Sequence, residues 1–443
     1  MSTKSRMRLT KKILFGILVY GLATAVYASG FQVWEQNGAG TGDYHAGQAV
    51  DAEDASTAYY NPAGLTHLNQ CPEIVFGGTV IPVTLKYSGT ISVNTLNSGT
   101  PIPTSAQSNG TNYIPFFYYS QPITNKLVFG LSLNVPFGAA SDFGRQSAMK
   151  YLAVNTQAAT VDLSPVLGYA LTSKLSVGAG LDVLGMQQNL TSYAVLINET
   201  TNALSTSSLK GAALGYHFGI LYDFSPNTRL GFNYRSQFSM NLSGNNSLQG
   251  VLADIAAGTG SSTSHITQSI ILPPTTTLSV YQAVNPRWVL LGTVDYTQWT
   301  LIKAMTINNL VGVNNDLAFE NINVSIPLFL RNTWNIALGT TYELTERWKL
   351  RTGIGFDESS VDPKYTTVYR TVQIPDSNRY ALAFGAHYQA SKAIGLDLGW
   401  THFFIEAASV SHPQQIGPTV TVTPNGTFHN SADVFGAQIT WKI

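Results

Sequence analysis

The sequence holds one cysteine, Cys71. A single thiol forms no internal disulfide and no cysteine-based metal or redox motif, and Cys71 reads as a small, half-buried residue without a chemical role. Charge is scarce too: Asp, Glu, Lys and Arg make up 11% of the chain, against about 25% in ordinary soluble proteins. Five of the 24 basic residues, Lys4, Arg6, Arg8, Lys11 and Lys12, lie at the very start, which leaves 19 against 24 acidic residues in the remainder. A slightly acidic chain without a basic patch excludes nucleic acid as a partner. Long apolar runs are also missing after the first 28 residues; none reaches the roughly 18 residues that a membrane-spanning helix needs.

The first 28 residues read as a secretory signal peptide. A basic start is followed by the apolar run Ile13–Val26 and by "VYA", with cleavage expected after Ala28. The run is too short to cross a bilayer as a helix. The next residue is Ser29 and not cysteine, so no lipid is expected on the new N-terminus.

Alternation fills the rest. In "RLGFNYRSQF", Leu230, Phe232, Tyr234 and Phe238 fall on one face and Asn233, Arg235 and Gln237 on the other. In "NTWNIALGTTYEL", Trp334, Ile336, Leu338, Tyr342 and Leu344 oppose Asn335, Thr341 and Glu343; "AIGLDLGWTHFF" sets Leu396, Leu398 and Trp400 against Asp397 and Thr401. A period of two over segments of about ten residues, with 22 Tyr and 20 Phe in an exported chain, marks a transmembrane β-barrel. Six tight polar turns occur at 124–126, 172–174, 225–228, 285–287, 345–347 and 391–393. Seven longer Gly-, Asn- and Ser-rich stretches, at 88–111, 137–157, 191–208, 244–264, 304–326, 358–376 and 408–428, read as extracellular loops. Seven loops and six turns imply fourteen antiparallel strands over residues 72–443, in the outer membrane of a Gram-negative cell. The last strand, "VFGAQITWKI", points Ile439, Trp441 and Ile443 outward, and Ile443 departs from the aromatic final residue common in such barrels.

Residues 29–71 lack sustained alternation and are rich in small residues, which suits an N-terminal hatch that plugs the lumen, since fourteen strands enclose more space than side chains fill. In "NPAG" (Asn61, Pro62, Ala63, Gly64) proline fixes φ and asparagine caps or turns the backbone, giving a rigid corner with a structural or gating role. The acidic cluster Asp51, Glu53 and Asp54 reads as pairing with luminal Arg and Lys and not as a metal site, and no cofactor is implied. Arg235, Arg351 and Arg379 are inward candidates for the same pairing.

The start "SGFQ" and the segments "AEDASTAYYNPAGL", "GILYDF", "NYRSQF", "VNPRW", "DYTQW", "IALGTTYEL", "RTGIGFDESSV" and "IPDSNRYALAFGAHY" run in order from residue 29 to about 405. Together they resemble the FadL-type outer-membrane transporters of long-chain fatty acids, a family that includes the TodX-like aromatic hydrocarbon transporters. The resemblance implies a plugged fourteen-stranded barrel and passive uptake of hydrophobic ligands, most simply long-chain fatty acids, with aromatic hydrocarbons as the alternative. The implied partners are that ligand and outer-membrane lipids, and a monomer is expected. It also implies that the first mature residues, Ser29, Gly30 and Phe31, reach the ligand, with Tyr59 and Tyr60 nearby. A kinked third strand opening the wall is implied at Asn134, Val135, Pro136, Phe137 and Gly138, where proline removes a ladder donor and glycine permits a bulge. The basic residue that the family carries on its fifth strand has no counterpart in "LSVGAGLDVLGMQQNLTSY".

Apolar residues at near-helical spacing between strands three and four, Phe143, Met149, Tyr151, Leu152 and Val154, suggest an exposed external capture groove. Two rival functions fit less well. A lipid hydrolase needs a nucleophile beside a histidine, and His217, His387 and His402 lie on strand segments with no local nucleophile signature. An open porin has no use for a hatch and a broken strand. The expected protein is not an enzyme.

Overall fold

The computed structural model describes residues 30–68, 71–94, 99–196, 201–362, 364, 370–373, 375–416 and 420–443. The expected signal peptide 1–28 and Ser29 lie outside the described residues.

The described residues form fourteen antiparallel wall strands, five of them in two pieces. They are β1 (Glu73–Asn94), β2 (Ile102–Pro122), β3 (Leu127–Asn134, then Gly138–Asp142), β4 (Asn155–Ala170), β5 (Leu175–Val195), β6 (Asn202–Ser225) and β7 (Thr228–Arg235, then Phe238–Gln249). There follow β8 (Thr263–Leu272, then Thr275–Asn285), β9 (Trp288–Thr297, then Ala304–Val313), β10 (Phe319–Pro327, then Thr333–Glu343), β11 (Trp348–Asp357), β12 (Arg379–Gln389), β13 (Ile394–Ile405) and β14 (Thr421–Lys442). The barrel closes where β1 pairs with β14, from Glu73↔Lys442 to Asn94↔Thr421. Closure leaves no sheet edge, which a lipid-facing wall requires. The six short connections coincide with the six turn signals in the sequence.

Leu181, Leu214, Leu278, Leu338, Ile354 and Leu398 stand exposed on the outer face. Aromatic pairs bracket this surface: Trp288 with Tyr342 and Trp348 with Tyr388 at the turn end, Tyr296 with Trp334 and Phe356 with Tyr380 toward the loop end. Trp348 and Phe356 are eight residues apart on β11; at about 3.4 Å per residue and a tilt near 40°, that is roughly 20 Å, close to the apolar band of an outer-membrane barrel.

Two sequence expectations need correction. Several strands are far longer than the membrane requires: β1 has 22 residues and β6 has 24, where about ten suffice. Stretches 88–111, 191–208 and 304–326 are therefore mostly ladder and not loop, as the pairs Lys86↔Gln107 to Ile91↔Ile102 illustrate. Above the membrane the outer face meets water, so exposed polar residues such as Lys86 and Gln107 alternate with buried Leu85, Tyr87 and Leu209, the reverse of the lipid-zone pattern, while the hydrogen-bond ladder continues. Phe238 is fully buried and faces inward, because β7 breaks at Ser236 and Gln237 and the side-chain parity inverts. A one-residue slip moves every later side chain to the other face.

Residues 30–68 contain only short helical turns, including α1 (Thr57–Tyr60), and lie inside the barrel. Thr79 of β1 and Tyr118 of β2 bond the carbonyls of Glu35 and Gln36. Gly130, Gly168, Gly178, Gly219 and Gly231 on β3 to β7 abut Leu65, Pro62, Asn61 and Ala49. Ser279 and Thr293 on β8 and β9 accept from the amides of Ala49 and Gly47. Gly339, Gly353, Gly385, Gly399 and Gly436 on β10 to β14 face Thr41, Gly42, Asp43 and Ala46. Every wall strand is touched.

Candidate functional site

The lower lumen is held by charge pairs. Arg235 on β7 binds Asp162 at 3.0 Å and Asp182 at 2.6 Å, donates to the Tyr59 carbonyl at 3.1 Å, and lies 4.4 Å from the Tyr59 ring centroid. Arg351 on β11 bridges Asp397 at 2.6 Å and Glu53, which Lys349 also contacts. Arg379 on β12 pairs with Asp357 at 2.7 Å. All three inward arginines are thus neutralised. Asp54 accepts from Gln438 and from the Ser56 amide. Burial alone would raise the Glu53 carboxyl, but the Lys349 and Arg351 cations outweigh it and hold it below its ordinary range. Half-buried Asp51 is pushed up to about 7 by burial and then by the Glu53 carboxylate. Burial raises Asp43 well above the carboxylate range and lowers His45 to about 3.

The "NPAG" corner is a bracket between this segment and the wall. Asn61 Nδ2 donates to the Ala49 carbonyl at 2.6 Å and the Ile220 carbonyl at 3.1 Å, while its Oδ1 accepts from the Ala63 amide at 3.1 Å. Pro62 starts the 3-10 turn Pro62–His67, where its missing N–H costs nothing. A Cβ on Gly219 would lie 1.8 Å from Asn61 Oδ1, so only glycine admits the bracket there.

The third strand breaks as its sequence suggests. Between Asn134↔Asp162 and Gly138↔Ala159, β3 spends three residues where β4 spends two. This is a one-residue bulge, and the buried positions switch from even to odd across it. Ladder pairing of β3 with β2 stops at Phe117↔Leu133. Among the described residues no further ladder pair joins these strands; higher up, the Asp142 amide donates to Ser108 Oγ at 2.8 Å. The wall between β2 and β3 therefore has a gap in its ladder alongside residues 109–116.

The N-terminal tail seals the inner side of that gap. Gln32 forms an antiparallel bridge with Phe137, the Val33 amide donates to the Pro136 carbonyl, and the Gly138 amide donates to the Phe31 carbonyl, each at 2.9 Å. Gln36 donates to the Val135 carbonyl at 2.8 Å and accepts from its amide at 3.0 Å. Gln32 also bonds Thr275 and Thr297 on the far wall. Gly30, at φ +70°, lies so close to fully buried Trp299 that a Cβ would sit 2.6 Å from its ring. Phe31 meets Trp299 edge-on at 5.1 Å and Phe137 at 6.0 Å.

Above the tail is a cavity of about 210 Å³. Phe31, Tyr151, Leu152, Met186, Ile270 and Met305 contribute to its mostly apolar lining, and no Asp, Glu, Lys, Arg or His lines it among the described residues. Its polar groups are hydroxyls and amides, notably Gln188, Gln268, Gln373 and Gln414.

Of the expected ligand residues, Phe31, Tyr151 and Leu152 line this cavity. Gly30 does not, but adjoins a smaller pocket shared with Phe31. Tyr59 and Tyr60 sit lower: Tyr59 stacks on Arg235, and Tyr60 bonds His45 and the Trp34 carbonyl. The exposed capture groove is corrected outright. Phe143, Met149, Tyr151, Leu152 and Val154 are all buried; the turn Ala148–Tyr151 folds inward and packs against the core of the lumen. Apolar spacing in a loop does not reveal whether that face meets solvent or the inside of a wide barrel. The glutamines and Met186 belong to no motif, although alternation along β5 orients Met186 and Gln188 inward. His217, His387 and His402 each contact a carboxylate, Asp182, Asp397 and Asp433, and no serine hydroxyl among the described residues bonds any of them.

Residues 19–442 match the model of the family described as outer membrane protein transport protein (OMPP1/FadL/TodX). The chain belongs to this family. The long-chain fatty acid transport protein of Salmonella typhi is 27% identical over 431 residues, covering 92% of this chain and 94% of that protein. Its counterpart in Escherichia coli K12 is 24% identical over 442 residues, covering 92% and 95%. In fold, the chain is similar to a FadL homologue of Pseudomonas aeruginosa, with a TM-score of 0.82 at 21% identity over 93% of this chain and 99% of the other. The toluene transporter TbuX of Ralstonia pickettii is similar with a TM-score of 0.64 at 16% identity, over 94% and 99%. The protein is a FadL/TodX-family β-barrel of the outer membrane.

Proposed function

We propose that this barrel carries hydrophobic molecules downhill into the outer membrane. In this reading the ligand settles in the cavity above Phe31, and the tail from Gly30 to Gln36 shifts. The ligand then leaves sideways through the gap between β2 and β3, beside Asn134 to Gly138. Residues 29–71 act as a plug that stays in place, with the Asn61–Gly64 bracket fixing or gating its corner. Long-chain fatty acids are the ligands of the named relatives and the first class to test, with aromatic hydrocarbons second. The protein is not an enzyme in this account.

The observation that carries the reading is the coincidence of three features at one place: the bulge at Pro136, the missing ladder pairs of β2, and a tail bonded to the bulge through main-chain groups. Energetics favour the sideways route. Release into water would forfeit about 25 cal/mol per Å² of buried apolar surface, whereas release into lipid forfeits little. No energy source is needed for transfer between two apolar phases.

Deletion of Pro136 removes the extra residue, restores parity with β4 and lets β3 continue its ladder with β2. Uptake of a labelled C16 compound by cells that depend on this barrel should then be lost, while the barrel keeps its heat-modifiable migration in gels. Unchanged uptake with the barrel folded would refute the lateral route.

A further inference from the structure

Among the described residues no charged side chain lines the cavity in which the proposed function places its ligand, and that restricts the ligand's head group. Gln188 and Gln268 are more than nine-tenths buried and line the cavity, and the Oε1 atom of each has no hydrogen-bond partner. Gln373 donates to the Leu152 carbonyl at 2.8 Å and to Gln414 at 3.4 Å, yet its own Oε1 and the Gln414 Nε2 are left without partners. Buried polar atoms are normally satisfied, and an unpaired set facing one cavity marks where a ligand completes the bonding. Whichever way each amide is turned, it has an NH2 donor group and a carbonyl acceptor, and no charge.

We infer that this site selects an uncharged hydrophobic molecule with a single hydrogen-bonding head, such as an alcohol, an ester or a protonated acid, over an ionised carboxylate. The inference rests on the reading of this cavity as the ligand site. A carboxylate taken out of water needs a cation or several donors to compensate for lost hydration; among the described residues no cation lines the cavity, and neutral amide N–H groups compensate less than a cation does. One cation to exclude is buried Arg370, whose Nη1 donates to the Ser409 carbonyl at 2.8 Å, whose Nε has no partner and which does not line the cavity; the other is half-buried Lys150. Its ammonium lies 5.0 Å from the ring centroid of Tyr151 and 5.7 Å from that of Tyr193, two lining residues, but Lys150 does not line the cavity itself.

The test is competition binding to purified full-length protein in detergent at pH 8, with tritiated hexadecan-1-ol as the probe. Hexadecanol, methyl palmitate, palmitate and hexadecane compete against it, for wild type and for Gln188→Arg, Gln268→Leu and Lys150→Met. Each compound's partition into micelles, measured in the same detergent without protein, corrects its apparent affinity. Wild type should hold hexadecanol and methyl palmitate about tenfold more tightly than palmitate. Gln188→Arg should reverse that order. Gln268→Leu should weaken hexadecanol about fivefold and strengthen hexadecane, and Lys150→Met should leave the ranking unchanged. The inference fails if palmitate binds wild type as tightly as hexadecanol, or if palmitate binding depends on Lys150. Binding of none of the four compounds by wild type would instead remove the cavity as a ligand site, and the proposed function with it.

Discussion

The two halves of the lumen solve opposite problems. Below Phe31, residues 30–68 touch every wall strand, glycines let backbones meet, and Arg235, Arg351 and Arg379 tie carboxylates together across the barrel. Above Phe31, the cavity lining among the described residues has no charged side chain, and amide atoms are left over. Dense, mutually satisfied polar contacts hold a segment in one place, whereas apolar surface with a few unpaired groups leaves room for a guest and orients it. Phe31 and the tail stand on the border between a locked region and a receptive one.

The sharpest way to break the locked half is to remove Arg235. Arg235→Met leaves Asp162 and Asp182 buried side by side without their cation, and should cost about 3–5 kcal/mol in denaturant unfolding. Arg235→Met combined with Asp162→Asn and Asp182→Asn should recover most of that loss. If the single variant is as stable as wild type, the pairs do not hold the lower lumen.

A smaller effect is expected at the bracket. Asn61→Ala leaves the Ala49 carbonyl without its donor, takes a second donor from the Ile220 carbonyl and removes the turn cap, at about 1–3 kcal/mol. Hydrogen exchange should quicken in residues 47–67 and not in the wall strands. Uniform protection would mean that Asn61 fixes nothing.

At the border, Phe31→Ala should weaken ligand binding about tenfold, near 1.4 kcal/mol, and lower-lumen variants should not. Unchanged affinity would move the site away from the tail.

The pH response of the plug segment is the subtlest contrast. Folding raises Asp51 from 3.8 to about 7. The folded state therefore keeps a proton that the unfolded chain has released, and the stability from Asp51 is full below about pH 3.8 and lost as pH rises through about 7. Asp51→Asn removes this loss, so its stability relative to wild type should improve between pH 4 and pH 8. An identical pH profile for both proteins would contradict the shift.

Strand number, turns and the plugged barrel were legible in the sequence because lipid forces strict alternation and the six turns carry strong signals. Fourteen strands follow from six turns alternating with seven longer connections. The lower lumen was partly legible: few charges in a barrel wall must find partners, so Arg235, Arg351 and Arg379 stood out. The upper lumen was not. Beyond the membrane the outward face turns polar, as at Lys86, Ser88 and Gln107, so ladder has the composition of loop. Met149 and Tyr151 turn inward only because the barrel is wide enough to admit them, and the four glutamines meet across strands far apart in sequence. The parity switch at Ser236 and Gln237 likewise requires the register of β6, which no local pattern supplies.

The central claim is that the tail must leave the bulge before ligand can pass the wall. Gln32 and Phe137 already face each other in an antiparallel bridge, so cysteines at both positions, in a Cys71→Ser background, should form a disulfide that pins the tail to β3. Uptake of a labelled C16 compound should stop when the bridge is formed and return on reduction, with each single cysteine variant showing the effect of its own substitution. Full uptake while mass spectrometry shows the bridge intact would contradict the account and leave a route that needs no movement of the tail.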